Sequence, residues 1–306
     1  MNHQLMHSPL ANRFYTADYE SRMDVFAATF QRLMEAYGFP ENRFFIDGEP
    51  PRAFSTAIIE DGRIAYVSAS SMLDIQRNRE RIFQLFREVS DFEHLIIDMR
   101  GNSGGNVNSF LDIMLLPHLR EPIYAPVAFY FFLDGPYVSR FGDYLFAPTV
   151  GSGFLTITEP YRPAAELLEL HDLPEVNRED IEWMHYGAPA SRDVRLLARV
   201  PWVPAFEGKI WLLTDSMMGS AAQVAAWYSR ETGFATLVGD ITGGNMGGPR
   251  TMALMPNTGI LFQFDVFYIT DSRGRPLEAG TIPHHFNRPG MDALETVLEL
   301  IDEGQW

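Results

Sequence analysis

Short apolar runs alternate with stretches of helical periodicity along most of this chain, and this alternation constrains the fold more strongly than any other feature. The clearest runs are residues 94–99 (HLIIDM) and 209–214 (KIWLLT). An apolar run that does not alternate with polar residues is typical of a strand buried on both faces, as in a parallel sheet. Each of these runs leads into a turn and then a predicted helix, at residues 106–119 and 220–230. The sequence therefore predicts an α/β fold with a mostly parallel sheet.

Further segments extend this pattern on both sides. Strands are predicted at residues 63–68, 127–133 and 235–239, helices at 74–89 and 291–302, and a hairpin at 251–254 and 259–264. Near the start, residues 17–38 have helical spacing and are followed by a proline. We therefore divide the chain into an N-terminal helical segment, residues 1–61, and one core domain, residues 62–306.

The stretch from residue 134 to residue 206 departs from the alternation. It is rich in glycine, proline and aromatic residues, with short helical pieces near 164–170 and 178–186. Long connections of this kind within a compact domain are often functional loops that cover a site. We interpret residues 134–206 as an insertion in the core domain, or a lid.

The composition excludes several classes of function. Of the 306 residues, 46% are hydrophobic and 21% are charged, which supports a sizeable core and rules out global disorder. The formal net charge of −16 repels phosphate backbones, so no nucleic-acid partner is expected. Cysteine is absent, which excludes disulfides, thiolate metal sites and cysteine nucleophiles. No set of histidines and carboxylates has metal-ligand spacing, so neither a metal nor another cofactor is expected.

No targeting or membrane signal stands out in the sequence. The longest apolar runs are far shorter than the ~20 residues that span a bilayer, so no membrane span is expected. Residues 1–15 lack the basic region and apolar stretch of a signal peptide. The expected location is the cytoplasm, or a secreted or periplasmic location if a signal peptide was removed. The pattern indicates no particular oligomeric state.

The turn after the first apolar run contains three glycines, Gly101, Gly104 and Gly105. Glycine adopts backbone conformations that other residues resist, and it leaves its amide N–H bare. Such a turn is either simply tight, or it donates hydrogen bonds to an anion or a polarised carbonyl. The segment lacks the GxxxxGK[ST] pattern, which excludes a nucleotide-binding P-loop.

The turn after the second apolar run places Ser220 between a glycine and a predicted helix. A serine in this place is commonly an N-cap that satisfies the first amides of the helix. It is also the place for a nucleophile, because the N–H of Ala221 then points at an oxyanion that develops on the attacked carbonyl. Ser216 is the rival serine in the same turn, but its position before two methionines favours a loop.

Four stretches of the chain resemble peptidase family S41, the family of the carboxy-terminal processing (tail-specific) proteases and of the tricorn core protease. They occur in the family's order and are residues 95–105 (LIIDMRGNSGG), 219–223 (GSAAQ), 236–244 (TLVGDITGG) and 277–283 (LEAGTIP). The resemblance implies a ClpP/crotonase-like spiral fold of βαβ units. It also implies a serine-type hydrolase that cleaves peptides or unfolded proteins.

The same resemblance implies roles for individual residues. Ser220 matches the family's nucleophile, and the N–H of Ala221 together with that of Gly104 or Gly105 matches its oxyanion hole. One branch of the family activates the serine with a lysine in the turn that here spans residues 242–248, and this turn contains no lysine. Lys209, the one lysine of the chain, opens a predicted strand and lies about 16 Å from its far end. We therefore reject a Ser–Lys dyad.

The other branch of the family uses a Ser–His–Glu arrangement. Glu278 matches the acid of that branch, with the role of orienting the base, although without the resemblance it is an ordinary solvated charge. The histidine is expected in an upstream turn, which here spans residues 38–44 and has no histidine, with Asn42 or a neighbour at that position. Asparagine is no general base. His284 and His285 are the best alternatives for the base, and His171 and His185 are further candidates.

Three hypotheses for the function follow. The first is an S41-type serine peptidase that acts through Ser220. The second is a catalytically degenerate relative that has lost its base and binds peptides or apolar ligands, with aromatic side chains between residues 129 and 146 as a candidate lining. The third is acyl-CoA chemistry on a crotonase-type fold, which the absence of a basic cluster for the CoA phosphates disfavours.

Overall fold

The computed structural model describes residues 54–124, 127–133, 149–150, 155–191, 193–194, 203–244, 251–254, 260–264 and 266–305. The strands in chain order are β1 Ser55–Glu60, β2 Ile64–Ser68, β3 His94–Asp98, β4 Ile123–Tyr124, β5 Ala128–Phe132, β6 Thr149–Val150, β7 Leu155–Ile157, β8 Arg162–Pro163, β9 Tyr186–Ser191, β10 Asp193–Val194, β11 Lys209–Thr214, β12 Thr236–Gly239, β13 Thr251–Leu254, β14 Leu261–Phe264, β15 Phe267–Thr270 and β16 His285–Phe286. The α-helices are α1 Met72–Arg77, α2 Arg79–Glu88, α3 Val107–Ser109, α4 Ala164–Leu170, α5 Arg178–Ile181, α6 Ala221–Glu231 and α7 Ala293–Asp302.

A six-stranded sheet in the order β1-β2-β3-β11-β12-β16 forms the centre of the main unit. Every neighbouring pair is parallel except β1 and β2, which are antiparallel. Helices α1 and α2 connect β2 to β3, and α6 connects β11 to β12, as parallel pairing requires. The predicted α/β fold with a mostly parallel sheet is therefore confirmed.

The sheet is buried on both faces, which explains the unbroken apolar runs. On one face, Ile96, Trp211 and Leu213 pack in a cluster with Val297 and Leu300 of α7. Successive strand residues point to opposite faces. The neighbours of these residues in β3 and β11, which include Leu95, Ile97 and Leu212, are equally buried. A strand that contacts the core on both sides carries apolar side chains on both faces of its middle positions, so no alternation is visible there.

A second, antiparallel sheet has the order β15-β5-β9-β7-β6, with β8 also paired to β9. Strands β7, β8 and β9 come from the stretch predicted as an insertion, so the described part of that stretch contributes to a sheet. Phe129 and Phe131 of β5 are buried against Leu167 of α4. The described aromatic residues considered as a ligand lining, all in β5, are core residues instead.

Strands β13 and β14 pair as an antiparallel hairpin, which confirms the hairpin expected there. This hairpin falls in a compact unit separate from the one that holds both sheets. Residues 1–53 of the N-terminal segment, Asn42 among them, lie outside the described residues, whereas Ser55–Glu60 of that segment form strand β1. In the described part of the chain, no helix is long and apolar enough to cross a membrane.

Two predicted helices differ from the structure in detail. The helix expected at 74–89 is divided at Asn78 into α1 and α2. The helix expected at 106–119 begins as α3, widens into a π-helical turn at Phe110–Leu115 and tightens into a 3-10 turn at Leu116–His118. Apolar periodicity predicts which face is buried, but it does not predict the hydrogen-bond ladder that the helix follows.

Shortening one buried side chain of the central strand β3 tests this packing. Ile96 is fully buried in the cluster between the sheet and α7. We expect Ile96→Ala to lower the free energy of unfolding by about 2–5 kcal/mol and Ile96→Val by about 0.5–1.5 kcal/mol. Leu170→Ala, at a position 56% exposed, changes it by no more than about 0.5 kcal/mol. Urea titrations measure all three, and equal costs at residues 96 and 170 would contradict a sheet covered on both faces.

Candidate active site

Ser220 has an unusual backbone conformation at the start of α6. Its φ of 54° and ψ of −123° make it the one non-glycine residue with positive φ among the described residues. Such a conformation costs on the order of 1–3 kcal/mol and persists only where the surroundings hold it. Its side chain forms no capping hydrogen bond, so the N-cap explanation suggested by the sequence does not account for this serine. Ser216 lies exposed in the preceding loop.

The two glycine-bearing turns meet at this serine. The N–H of Gly219 donates to the carbonyl of Asn102 over 3.2 Å. A Cβ built on Gly104 would lie 2.7 Å from Cβ of Ser220 and 2.9 Å from N of Ala221, closer than real Cβ contacts come. Only glycine therefore fits at position 104. Its φ of +108° excludes other residues independently.

Asn102 organises the first turn. Its side chain is fully buried; Nδ2 donates to the carbonyl of Ala69, and Oδ1 accepts the N–H of Gly104 over 3.0 Å. The N–H of Gly104 is therefore already engaged. Within the described residues, the N–H groups of Gly105 and Ala221 donate to no acceptor. Since Ala221 is the first residue of α6, its N–H has no partner inside the helix and is available to an incoming oxygen.

A buried ion pair holds the first turn from the other side. Arg100 donates through Nε and Nη2 to both carboxylate oxygens of Asp98, and through Nη1 to Asp292 over 2.9 Å. Tyr66 donates to Asp98 as well, and burial together with this carboxylate raises the pKa of Tyr66 to about 12. Asp292 caps the amino end of α7. Burial opposes its ionisation, but hydrogen bonds from the Glu295 amide and from Arg100 outweigh burial and lower its pKa.

Glu278 lies on a 3-10 turn, Leu277–Ala279, that packs against the loop containing Gly244. A Cβ built on Gly244 would lie 2.1 Å from the carbonyl oxygen of Glu278, and the carbonyl of Gly244 accepts the N–H of Ser220 over 3.1 Å. Gly244 thus lies between the backbone of Glu278 and that of Ser220 and contacts both. Its side chain is exposed, and its role as the acid that orients a base stays a prediction.

The adjacent histidines lie beside β12, the strand that follows α6 in the chain. Nδ1 of His284 accepts the N–H of Leu237 over 2.9 Å, and His285 pairs with Val238 in β16. Burial is the main cause of the lowered pKa of His284, and the charge of Arg230, in the last turn of α6, adds to it. Ser220 precedes the first turn of that helix, about 15 Å from Arg230 along the helix axis. The geometry gives no support to either histidine as the base for Ser220.

Other groups considered from the sequence serve packing. Lys209 is the first residue of β11 and lies over the ring of Trp211, which agrees with the rejection of a Ser–Lys dyad. His118 is buried among aromatic rings, and burial lowers its pKa to about 3. The ring of His171 contacts that of Phe129 at a tilted angle, with centroids 4.7 Å apart. Among the described residues, no titratable side chain forms a hydrogen bond with the hydroxyl of Ser220.

Three polar residues near the serine were not predicted from the sequence, Arg100, Asn102 and Gln223. All three are buried polar residues next to the two turns, and buried polar groups need partners. Their position in the sequence is the signal that could have indicated them. Each lies within four residues of a glycine in a turn that follows an apolar run. Their partners were not predictable, since Arg100 and Asp292 are 192 residues apart in the chain.

Comparison with known proteins follows the same segments. A model of peptidase family S41 matches residues 63–125 and 165–286. The match includes both glycine-bearing turns, Ser220 and Glu278. It excludes residues 126–164, most of which lie between the described strands of the second sheet.

Solved structures resemble the chain at low sequence identity. A candidate peptidase from Parabacteroides merdae is 15% identical with a TM-score of 0.53, over 94% of this chain and 84% of that one. A lipoprotein from Streptococcus agalactiae is 11% identical with a TM-score of 0.47, over 96% and 87%. Mature CPAF complexed with lactacystin is 18% identical with a TM-score of 0.47, over 82% of this chain and 53% of that one. The first likeness shows the fold alone and, with the family match, confirms the ClpP/crotonase-like α/β architecture.

Two glycine substitutions separate backbone strain from close approach. Gly101 and Gly104 both have positive φ, but a Cβ on Gly101 meets nothing within 4 Å. We expect Gly101→Ala to lower the free energy of unfolding by about 1–2 kcal/mol through strain alone. Gly104→Ala should lower it by about 1–3 kcal/mol more, because the new methyl overlaps Ser220 and Ala221. Chemical denaturation measures both, and equal losses would mean that the two turns do not touch.

Because His118 is buried, the free energy of unfolding is expected to depend on pH. A histidine whose pKa is about 3 in the folded protein and about 6.5 unfolded takes up a proton on unfolding between these values. The free energy of unfolding should therefore fall by up to ~1.4 kcal/mol per pH unit as the pH drops from about 6.5 to 3. His118→Phe should remove this one-proton slope, whatever its effect on absolute stability. Urea titrations across this range measure the slope, and identical slopes would contradict a neutral buried His118.

Proposed function

The chain belongs to peptidase family S41, and on that premise we propose that it is a serine peptidase whose nucleophile is Ser220. The observation that carries the proposal is the contact of the two turns at Gly104 and Ser220. It gathers one strained hydroxyl-bearing residue and two amides without acceptors into one place. Serine hydrolases need this combination of a nucleophile and preorganised N–H donors.

In the proposed reaction, Oγ of Ser220 attacks the carbonyl carbon of a peptide bond. The carbonyl oxygen becomes an oxyanion and accepts hydrogen bonds from the N–H groups of Gly105 and Ala221. Gly104 contributes its lack of a side chain, since its own N–H is held by Asn102. The proton of Oγ passes to a base and then to the leaving amine, and water later cleaves the acyl-enzyme. Glu278 orients the base, and no titratable side chain in the described part of the chain hydrogen-bonds the Ser220 hydroxyl.

The proposed substrates are peptides or unfolded protein segments. Supporting this, the donors at the site are backbone amides, which hold a carbonyl oxygen whatever side chain follows it. The net charge of −16 disfavours strongly acidic substrates by the same repulsion that disfavours nucleic acid.

A second candidate function is a binding protein that retains the site without turnover. The absence of a titratable partner for the Ser220 hydroxyl within the described residues favours it, as does the lack of a histidine at residues 38–44, where the resemblance predicts one. Without a base, a triad enzyme loses on the order of 10⁴-fold or more in rate. Such a protein would still hold a peptide carbonyl at the two amides.

A fluorophosphonate label distinguishes the two functions. The wild type should be labelled at Ser220, because the label forms a bond with an activated serine and places its oxygen in the oxyanion hole. Ser220→Ala should lose the label and at least about 10⁴-fold of any peptide turnover. Ser216→Ala, four residues away in the exposed loop, is the matched control and should label as the wild type does. A folded wild type that neither labels nor cleaves peptides at any pH would leave the binding protein as the function.

A further inference from the structure

A buried carboxamide lies on α6, one turn beyond Ser220. Gln223 is fully buried. Its Nε2 donates to the carbonyl of Leu277 over 3.2 Å and to Oγ1 of Thr281 over 3.0 Å. Its Oε1 accepts the hydroxyl of Thr242. Both protons of the amide and its oxygen are therefore engaged, which is the full capacity of the NH₂ group.

The partners of Gln223 belong to two different loops, and these loops also bind each other. The hydroxyl of Thr242 accepts the N–H of Thr281 over 2.7 Å, and the N–H of Thr242 donates to the carbonyl of Thr281. A Cβ built on Gly280 would lie 1.9 Å from the carbonyl oxygen of Thr242. The loop at residues 240–244 and the loop at residues 277–281 are thus held together, and we call the two a layer.

This layer reaches the nucleophile through one hydrogen bond. The carbonyl of Gly244, two residues after Thr242, accepts the N–H of Ser220 over 3.1 Å. Gly244 is itself packed against the carbonyl of Glu278. Because the backbone of Ser220 is strained, its conformation depends on such contacts. Any shift of the layer moves both the serine amide and the segment that carries Glu278.

From this arrangement we infer that Gln223 is a positioning residue that fixes Ser220 and the Glu278 loop in one geometry. This inference rests on the proposed function for its catalytic consequence, but the clamp itself is a property of the structure. A carboxamide suits the role because it donates and accepts at once without a charge. A carboxylate in the same place only accepts and faces the carbonyl of Leu277 with lone pairs.

Two variants and a control test the inference. Gln223→Met keeps the length of the side chain and removes all three hydrogen bonds. Gln223→Glu keeps the shape and the acceptor for Thr242. Ser229→Ala is the matched control, since Ser229 is also fully buried on α6 and its hydroxyl has no partner in the described part of the chain.

Amide hydrogen exchange measures the clamp without reference to activity. In Gln223→Met, the amides of residues 242–244 and 277–281 and that of Ser220 should exchange about ten-fold faster or more, since three hydrogen bonds to a buried group are lost. Ser229→Ala should exchange as the wild type does. Unchanged exchange in Gln223→Met would overturn the clamp, and this result is independent of whether the wild type is an enzyme.

The rate of fluorophosphonate labelling measures how well Ser220 is positioned for attack. Gln223→Met should label at least about ten-fold more slowly than the wild type. Gln223→Glu should be impaired at neutral pH and recover relative to the wild type as the pH falls, because a protonated carboxyl donates to Leu277 again and burial favours that form. A purely structural defect gives no such recovery.

Two outcomes separate the positioning role from the proposed function. Faster exchange in Gln223→Met with an unchanged labelling rate would overturn the positioning role. A wild type that is not labelled at all would overturn the proposed function, and the exchange rates alone would then decide whether Gln223 clamps the two loops.

Discussion

The close approach of Gly104 to the Ser220–Ala221 peptide is the contact on which the rest of the site depends. It allows two turns that are more than a hundred residues apart to share one surface of bare amides. The approach also holds Ser220 in a conformation that it would not adopt alone, together with the hydrogen bonds from Gly219 to Asn102 and from Ser220 to Gly244. The strain at the serine is thus supported from both neighbouring turns.

A different kind of buried polar contact stabilises each of the two turns. An ion pair between Asp98 and Arg100 holds the first turn, and a neutral network around Gln223 holds the second. Buried polar groups are costly when they lose their partners, so such networks favour one arrangement over its near alternatives. Rigid support behind a site is what keeps amide donors aligned with a developing charge.

The sequence predicted the central sheet well and the second sheet poorly. The apolar runs at β3 and β11 lie in the core, where burial on both faces leaves one interpretation. Strand β9 has the sequence YGAPAS, whose glycine and proline are typical of turns, and its pairing with β5 and β7 overrides that preference. The convergence at Ser220 was predictable from two glycine turns at strand ends. The supporting contacts of Asn102 and Gln223 were not, because they depend on loops that only the folded chain brings together.

The contact between Arg100 and Asp292 has a consequence for the order in which the protein matures. Asp292 is the cap of α7, so the first glycine turn receives its final anchor from a helix that follows every other described element in the chain. During synthesis, the ribosome releases that helix after those elements have emerged. Until α7 docks, Arg100 has Asp98 but not Asp292 as its partner, so the first turn is held by one carboxylate fewer.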